Sequence, residues 1–224
     1  MKFVFDGADV RKLERVLEQN LTPIAFGVGN VSQVSSIYFD DDMLSSCRES
    51  LAGVSRRTKV RLRWYDRSLP PGDAFFELKH RIGETVRKER TPMQLPGAAL
   101  DYPRLMRLIH DALRPGDASW LHLRPRPVVM VCYRRRHFLD SRSGARVTLD
   151  FDITGYDQLG RQSVVRRFPV TLGGRAVIEA KMPAGSEAMV RQLLHPLRPR
   201  LTRSSKYVQC CGQLGWCRWA DVDD

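Results

Sequence analysis

The sequence predicts an α+β chain that is mainly β: an antiparallel barrel or sandwich with helical additions. Three observations predict it. Strand-like segments recur at short spacing between turn-forming residues. Several of them alternate apolar and polar side chains with the two-residue period of a half-buried strand. Helical segments lie mainly at the ends and in one insertion, and there is no internal repeat or low-complexity tract.

Residues 2–5 (Lys-Phe-Val-Phe) read as a short strand. Residues 9–20 read as an amphipathic helix, with Asp9 as N-cap and Val10, Leu13, Val16 and Leu17 on one face. Residues 33–39 are β-rich, and 42–52 are helical up to the stop at Gly53. Strands follow at 58–65, 74–80 and 84–91, separated by the Asp66–Asp73 turn with Pro70, Pro71 and Gly72, and by the turn Ile82-Gly83-Glu84. A helix at 101–114 has Pro103 in its first turn and buries Leu105, Leu108, Ile109, Ala112 and Leu113, which makes 97–115 a helical insertion. Residues 115–127, rich in Pro and basic residues, read as a loop. Four more strands are expected at 127–139, 145–153, 161–170 and 174–181, the first two joined by the turn Ser141–Gly144. Helices at 186–197 and 203–214 close the chain, within a C-terminal helical stretch of 186–215. The length of 224 residues fits a single domain, 1–224.

Lys and Arg number 37 against 25 Asp and Glu, a net charge of +12 that points to a polyanionic partner. The longest apolar stretch, Val128–Cys132, is far short of the ~20 residues a membrane-spanning helix needs. The N-terminus MKFVFDGADV lacks the apolar core of a secretory signal, so a cytoplasmic location is expected. The cysteines Cys47, Cys132, Cys210, Cys211 and Cys217 show no CxxC spacing and read as reduced thiols. There is no HExxH, no GxxxxGK[ST] loop, and no third glycine to complete Gly27 and Gly29 as a dinucleotide fingerprint. Phosphate chemistry here has to proceed without either fold.

The strands carry the informative pattern. In Thr58–Tyr65, Val60, Leu62 and Trp64 share one face while Lys59, Arg61 and Arg63 share the other. Phe76 and Leu78 oppose Glu77 and Lys79; Val147, Leu149, Phe151 and Ile153 alternate with Arg146, Thr148, Asp150 and Asp152; Ala176, Ile178 and Ala180 alternate with Val177, Glu179 and Lys181. Arg134–Arg136 puts a cation on both faces of its strand. One such strand is an ordinary solvent face. Together, faces dominated by Arg and Lys repel themselves and are tolerated best where an anion neutralises them. A closed barrel could turn them inward as a cationic tunnel.

The ordered series Lys59-Val-Arg61-Leu-Arg63-Trp-Tyr65, Phe76-Glu77-Leu78-Lys79, Lys88-Glu-Arg90, Tyr133-Arg-Arg135, Arg146-Val-Thr-Leu-Asp150, Val177-Ile-Glu179-Ala-Lys181 and Ser204-Ser205-Lys206-Tyr207 resembles the VTC (vacuolar transporter chaperone) domain. This is the polyphosphate polymerase branch of the triphosphate tunnel metalloenzymes, and the resemblance runs from about residue 2 to residue 210. It implies an eight-stranded antiparallel tunnel barrel with flanking helices. It also implies ATP, triphosphate or polyphosphate as partner, Mn2+ or Mg2+ as cofactor, and transfer of the terminal phosphate of ATP onto a phosphate chain. By motif position it assigns phosphate contacts to Lys2, Lys59, Arg61, Arg63, Lys79, Lys88, Arg90, Arg135, Arg146, Lys181, Ser205 and Lys206. The catalytic set within these is Arg61, Arg63, Lys79 and Lys206, and the metal ligands are Glu179 and Glu77. The family's first strand carries an E-x-K pattern; here Lys2 matches the lysine and the glutamate is absent.

The chemistry agrees with the residue types. Phosphoryl transfer asks for positioning and for cations around the oxygens. Arg supplies bidentate forks and Lys point charges. A polyphosphate polymerase is the leading expectation. A triphosphatase on the same fold and a non-catalytic polyphosphate-binding module are the alternatives. Nucleic acid is not expected, because the aromatic residues are not interleaved with the basic ones. No membrane insertion by this chain is expected, and a membrane protein partner stays open. Arg56-Arg57, Arg124–Arg126, Arg166-Arg167 and Arg198–Arg203 read as solvated patches, and Trp216 and Trp219 as packing residues.

Overall fold

A computed structural model describes residues 1–26, 30–66, 69, 72–96, 101–183, 185, 187–197, 200–202 and 204–217. In chain order the elements are β1 (Lys2–Phe5), α1 (Val10–Glu18), β2 (Thr22–Ile24), β3 (Ser32–Asp40), α2 (Ser45–Leu51), β4 (Arg56–Trp64), β5 (Asp73–Ile82) and β6 (Thr85–Gln94). They continue with α3 (Tyr102–Ala112), α4 (Pro115–Leu123), β7 (Arg126–Leu139), β8 (Arg146–Asp157), β9 (Val170–Thr171), β10 (Ala176–Lys181), α5 (Glu187–Leu194), β11 (Arg200–Leu201) and α6 (Lys206–Gln213). The chain is α+β and mostly antiparallel sheet. Its contacts divide it into two compact units: Met1–Gln33, Tyr133–Ile153 and Leu172–Ser204 form the first, and Val34–Cys132, Thr154–Thr171 and Ser205–Asp224 the second.

In the first unit the strands run β11-β1-β10-β8-β7, with β2 on β7. The Asp9 side chain caps α1 by accepting from the backbone N–H groups of Arg11 and Lys12. One sheet face buries Phe3, Val147, Leu149, Ala176, Ile178 and Ala180 against Leu13 and Leu17 of α1 and Val190 and Leu194 of α5. The β8–β10 register ends at Asp150. Two residues on, Asp152 takes φ 52°, a left-handed conformation that Asp tolerates better than most side chains.

In the second unit the order is β7-β3-β4-β5-β6, with β9 on the end of β8. One face buries Ile37, Phe39, Val60, Leu62, Trp64, Phe76 and Leu78 against Tyr102, Leu105 and Ile109 of α3 and Leu121 of α4. Each such fully buried side chain contributes about 1.5–3 kcal/mol. Helix α2 has no cap from its own N-cap residue, Leu44. Asp40 instead accepts from the N–H groups of Ser46 and Cys47, and Asp41 from that of Ser45. Gly155 lets α6 approach closely: a Cβ there would stand 2.8 Å from the Cβ of Cys210.

Three expectations need correction. The eight-stranded barrel does not close: among the described residues the sheet path ends at β11 on one side and β6 on the other, with no pairing between them. Residues 115–123 are helix, because Pro115 takes the first helical position, where its ring fits, and Ala118 and Leu121 are buried, Leu121 in the core. The strand expected at 161–170 is only the two residues of β9 and an isolated bridge between Asp101 and Ser163. Its backbone bonds go elsewhere: the buried Gln158 side chain donates to the carbonyls of Tyr156, Asp157 and Val165 and accepts from Val165 N–H. Residues 97–100 of the expected insertion, Arg198 and Arg203 of one charge patch, and Trp219 lie outside the described residues.

Candidate functional site

The β3–β6 sheet of the second unit has a polar face opposite its core. Register builds it in rows: Lys59, Lys79 and Lys88 stand side by side on β4, β5 and β6. The next row is Tyr38, Arg61, Glu77 and Arg90, and the third is Ser36, Arg63, Phe75 and Pro92. The alternation that put Val60, Leu62, Phe76 and Leu78 in the core places every one of these on the other face.

Glu77 is the centre of this face. Its side chain is 0% exposed. Arg61 Nε donates to Glu77 Oε2 at 2.7 Å and Arg61 Nη2 lies 2.6 Å from the same oxygen. Arg63 Nε stands 3.9 Å from Oε2, Arg90 Nε 3.3 Å from Oε1, and Lys88 Nζ is ion-paired to Oε1. Burial pushes the carboxyl up, but Arg61, Arg63 and Lys88 overcome it and hold Glu77 at about 2. Lys88 is held below the ordinary lysine range by burial and by Arg61 and Arg63, against the pull of Glu77.

The rest of the face supports these cations. Arg61 Nη1 donates to the Tyr38 hydroxyl at 3.0 Å and Arg63 Nε to Ser36 Oγ at 3.0 Å. Burial opposes ionisation of Tyr38, yet Arg61, Arg63 and Lys206 lower its pKa below the usual tyrosine value. The Ser204–Tyr207 motif sits at the start of α6. Ser205 Oγ accepts from Lys59 Nζ at 2.9 Å, and Lys206 is the first residue of the helix. Tyr207 anchors the motif: its hydroxyl donates to buried Asp40 Oδ2 at 2.6 Å, and its ring stacks on Tyr38 with centroids 4.8 Å apart.

The first unit has a polar face of its own. Lys2 on β1, Glu179 on β10 and Thr148 on β8 share one row, and Lys181 pairs with Arg146. Lys2 Nζ donates to the Ser204 carbonyl at 3.2 Å. Arg135 grips buried Asp150 bidentately, Nε to Oδ1 at 2.5 Å and Nη2 to Oδ2 at 2.8 Å.

The sequence-predicted residues therefore fall on two faces. Lys59, Arg61, Arg63, Glu77, Lys79, Lys88, Arg90, Ser205 and Lys206 belong to the second unit. Lys2, Arg135, Arg146, Glu179 and Lys181 belong to the first. Sequence reasoning missed Ser36, Tyr38 and Asp40, and quoted Tyr207 in its motif without giving it a role. The alternation of Ser36 and Tyr38 with Ile37 and Phe39 was the available signal for the first two. Two of the solvated patches need correction. Arg124 is largely buried and reaches Asp40, Asp41 and Glu49, tying the end of β3 to α2. Arg166 is half-buried and donates to Ser35 Oγ. Arg126 does stay exposed beside Asp42.

Among the described residues no three His, Cys, Asp or Glu side chains come together as a metal-holding set. Glu77 and Asp150 are both engaged by arginine, and Glu179, half-buried on its polar face, also interacts electrostatically with Arg135. This donor set fits a hard divalent ion held by one carboxylate, with water and phosphate oxygens completing its shell, rather than a protein cage. No helix among the described residues is long and apolar enough to cross a membrane.

No match is found among curated proteins. A family model described as the VTC domain matches residues 1–214 of the 224. That family is associated with polyphosphate. The chain belongs to the VTC domain family.

Proposed function

We propose that the protein is a metal-dependent phosphotransferase acting on phosphate chains, an ATP-dependent polyphosphate polymerase. The observation that carries this reading is the rows of cations on one face of β4–β6 around Glu77. A sheet face built this way concentrates positive charge while a buried counter-ion keeps it folded. Phosphate oxygens compete with Glu77 for the same donors. Arg61 and Arg63 offer forks to two oxygens at once, and Lys59, Lys79, Lys88 and Lys206 add point charges. Arg61, Arg63, Lys79 and Lys206 are the residues assigned to the charge that develops on the transferred group. Arg90 and Ser205 complete this phosphate set.

In the first unit, Lys2, Arg135, Arg146 and Lys181 are assigned to phosphate and Glu179 to the divalent ion. When bound, Mn2+ or Mg2+ would neutralise charge on phosphate oxygens. An acceptor that is already an anionic phosphate needs no general base, which agrees with a polar face rich in cations and poor in histidine.

The test is incubation with ATP, Mn2+ and a short phosphate primer. Long chains together with ADP are expected. Release of orthophosphate without chain growth would replace the polymerase with a triphosphatase. Tight polyphosphate binding without turnover under either metal would make the protein a binding module.

A further inference from the structure

The cationic face of the second unit changes character at one end. Beyond the row of Arg63, Phe75 and Pro92 comes the pair Asp73 and Gln94, which are hydrogen-bonded to each other, and Tyr65 follows the last residue of β4. These strand ends line a cleft of about 610 Å³, within the size range of small-molecule sites, whose walls include Tyr65, Asp66, Asp73, Phe75, Pro92 and Gln94. Tyr65 is 45% exposed. The Arg90 guanidinium links the cleft to the cations: it lies 3.5 Å from the Phe75 ring centroid and 5.5 Å from that of Tyr65, and its Nη2 donates to the Tyr65 hydroxyl at 2.9 Å. Its Nε is the atom that lies near Glu77 Oε1.

We propose that this cleft is a nucleobase subsite, so that one sheet face reads a nucleoside polyphosphate lengthwise. The inference rests on the phosphate-binding reading of the neighbouring rows. Alternate residues along a strand lie about 6.6 Å apart, so the rows from Lys59 to Arg63 extend about 13 Å. That stretch takes the phosphates. At its end the cations give way to two aromatic rings and two carboxylates. Asp66 and Asp73 repel a further phosphate, so a long inorganic chain does not continue in this direction. A neutral base meets no such repulsion. It can stack on the Tyr65 ring or on the guanidinium plane of Arg90, and the side chains of Asp73 and Gln94 offer hydrogen-bonding partners to its edge. The arrangement also gives the nucleotide a polarity: base at Tyr65, terminal phosphate toward Lys59, Lys79 and Lys88.

The experiment compares ATP with inorganic triphosphate by calorimetry on wild type, Tyr65→Ala and Tyr65→Trp. Tyr65→Ala is expected to weaken ATP about tenfold, the scale of one lost base stack, and to leave triphosphate within about twofold. Tyr65→Trp is expected to restore ATP binding. Equal weakening of both ligands by Tyr65→Ala overturns the subsite, because Tyr65 would then act only through Arg90. Unchanged ATP affinity in Tyr65→Ala overturns it as well. Failure of wild type to bind triphosphate at all would instead overturn the phosphate-binding reading beneath it.

Discussion

Arg61 and Glu77 face each other across β4 and β5, with Nη2 2.6 Å from Oε2 and the carboxylate wholly buried. The pair explains how a sheet face this basic folds. Arg61, Arg63, Lys88 and Arg90 repel one another, and the single anion among them offsets that repulsion. Removing one member of such a cluster leaves buried charge uncompensated, at a cost of about 3–5 kcal/mol. Glu77→Gln is therefore expected to lower the thermal midpoint. Added triphosphate should raise the midpoint of the variant more than that of wild type, since the ligand supplies the missing negative charge. Equal shifts in a thermal melt would show that the ligand does not enter this cluster.

The same carboxylate gives an acid limb. Arg61, Arg63 and Lys88, against the effect of burial, hold Glu77 at about 2 instead of the usual 4.5. A carboxyl lowered on folding contributes stability that is complete above its unfolded pKa and is lost as pH falls through its folded one. Its share of the stability should disappear between about pH 4.5 and pH 2. Urea midpoints measured across that window should fall less steeply in Glu77→Gln than in wild type, and identical slopes would contradict the assignment.

Arg61→Ala combined with Arg63→Ala should abolish most triphosphate affinity. From sequence alone this change looks harmless to the fold, because like charges are removed. The structure adds a cost that this repulsion argument leaves out. Both arginines have partners, Glu77 and Tyr38 for Arg61 and Ser36 for Arg63, and charge-assisted hydrogen bonds contribute about 1.5–3 kcal/mol each. The double variant should be less stable by about 3 kcal/mol or more in urea. Undiminished stability would mean that Glu77 finds compensation from Lys88 and Arg90 alone.

Glu179→Gln separates metal from phosphate. With Glu179 assigned to the divalent ion, the variant should lose Mn2+-dependent turnover while keeping its metal-free affinity for triphosphate. Wild-type turnover across a Mn2+ titration would remove Glu179 from the metal site.

Tyr207→Phe tests the anchor of α6. The hydroxyl donates to Asp40, which also accepts from the start of α2, so its loss leaves a buried carboxylate oxygen without this donor. A cost of about 1–3 kcal/mol is expected in urea unfolding. Turnover should fall as well, because Ser205 and Lys206 immediately precede the anchored residue. Full stability with full activity would show that ring stacking on Tyr38 suffices.

The period-two pattern of β4, β5, β8 and β10 was enough to separate their core faces from their polar faces, because alternation is a local property of an extended chain. Helix ends at Asp9, Asp101 and Gly53 were legible for the same reason: a cap acts within a few residues. Residues 115–123 were misread because Leu121 packs on a sheet core built from distant strands, and 161–170 because Val165 bonds the Gln158 amide seven residues back, where a side chain competes with strand pairing. The partners of Arg124, 83 residues away at Asp41, could not be read from a run of basic residues.

By itself, then, the sequence determined which side chains share a strand face, that the polar faces are cationic, and that their order follows the VTC pattern. Tertiary structure decided what each cation meets. It placed Glu77 among Arg61, Arg63, Lys88 and Arg90, bound Arg135 to Asp150, drew Tyr207 onto Asp40, and left the sheet unclosed between β11 and β6 among the described residues. The physical reason is range. Alternation and capping act over a few residues of one chain segment, whereas strand register and ion pairing between strands exist only once segments far apart in sequence lie side by side.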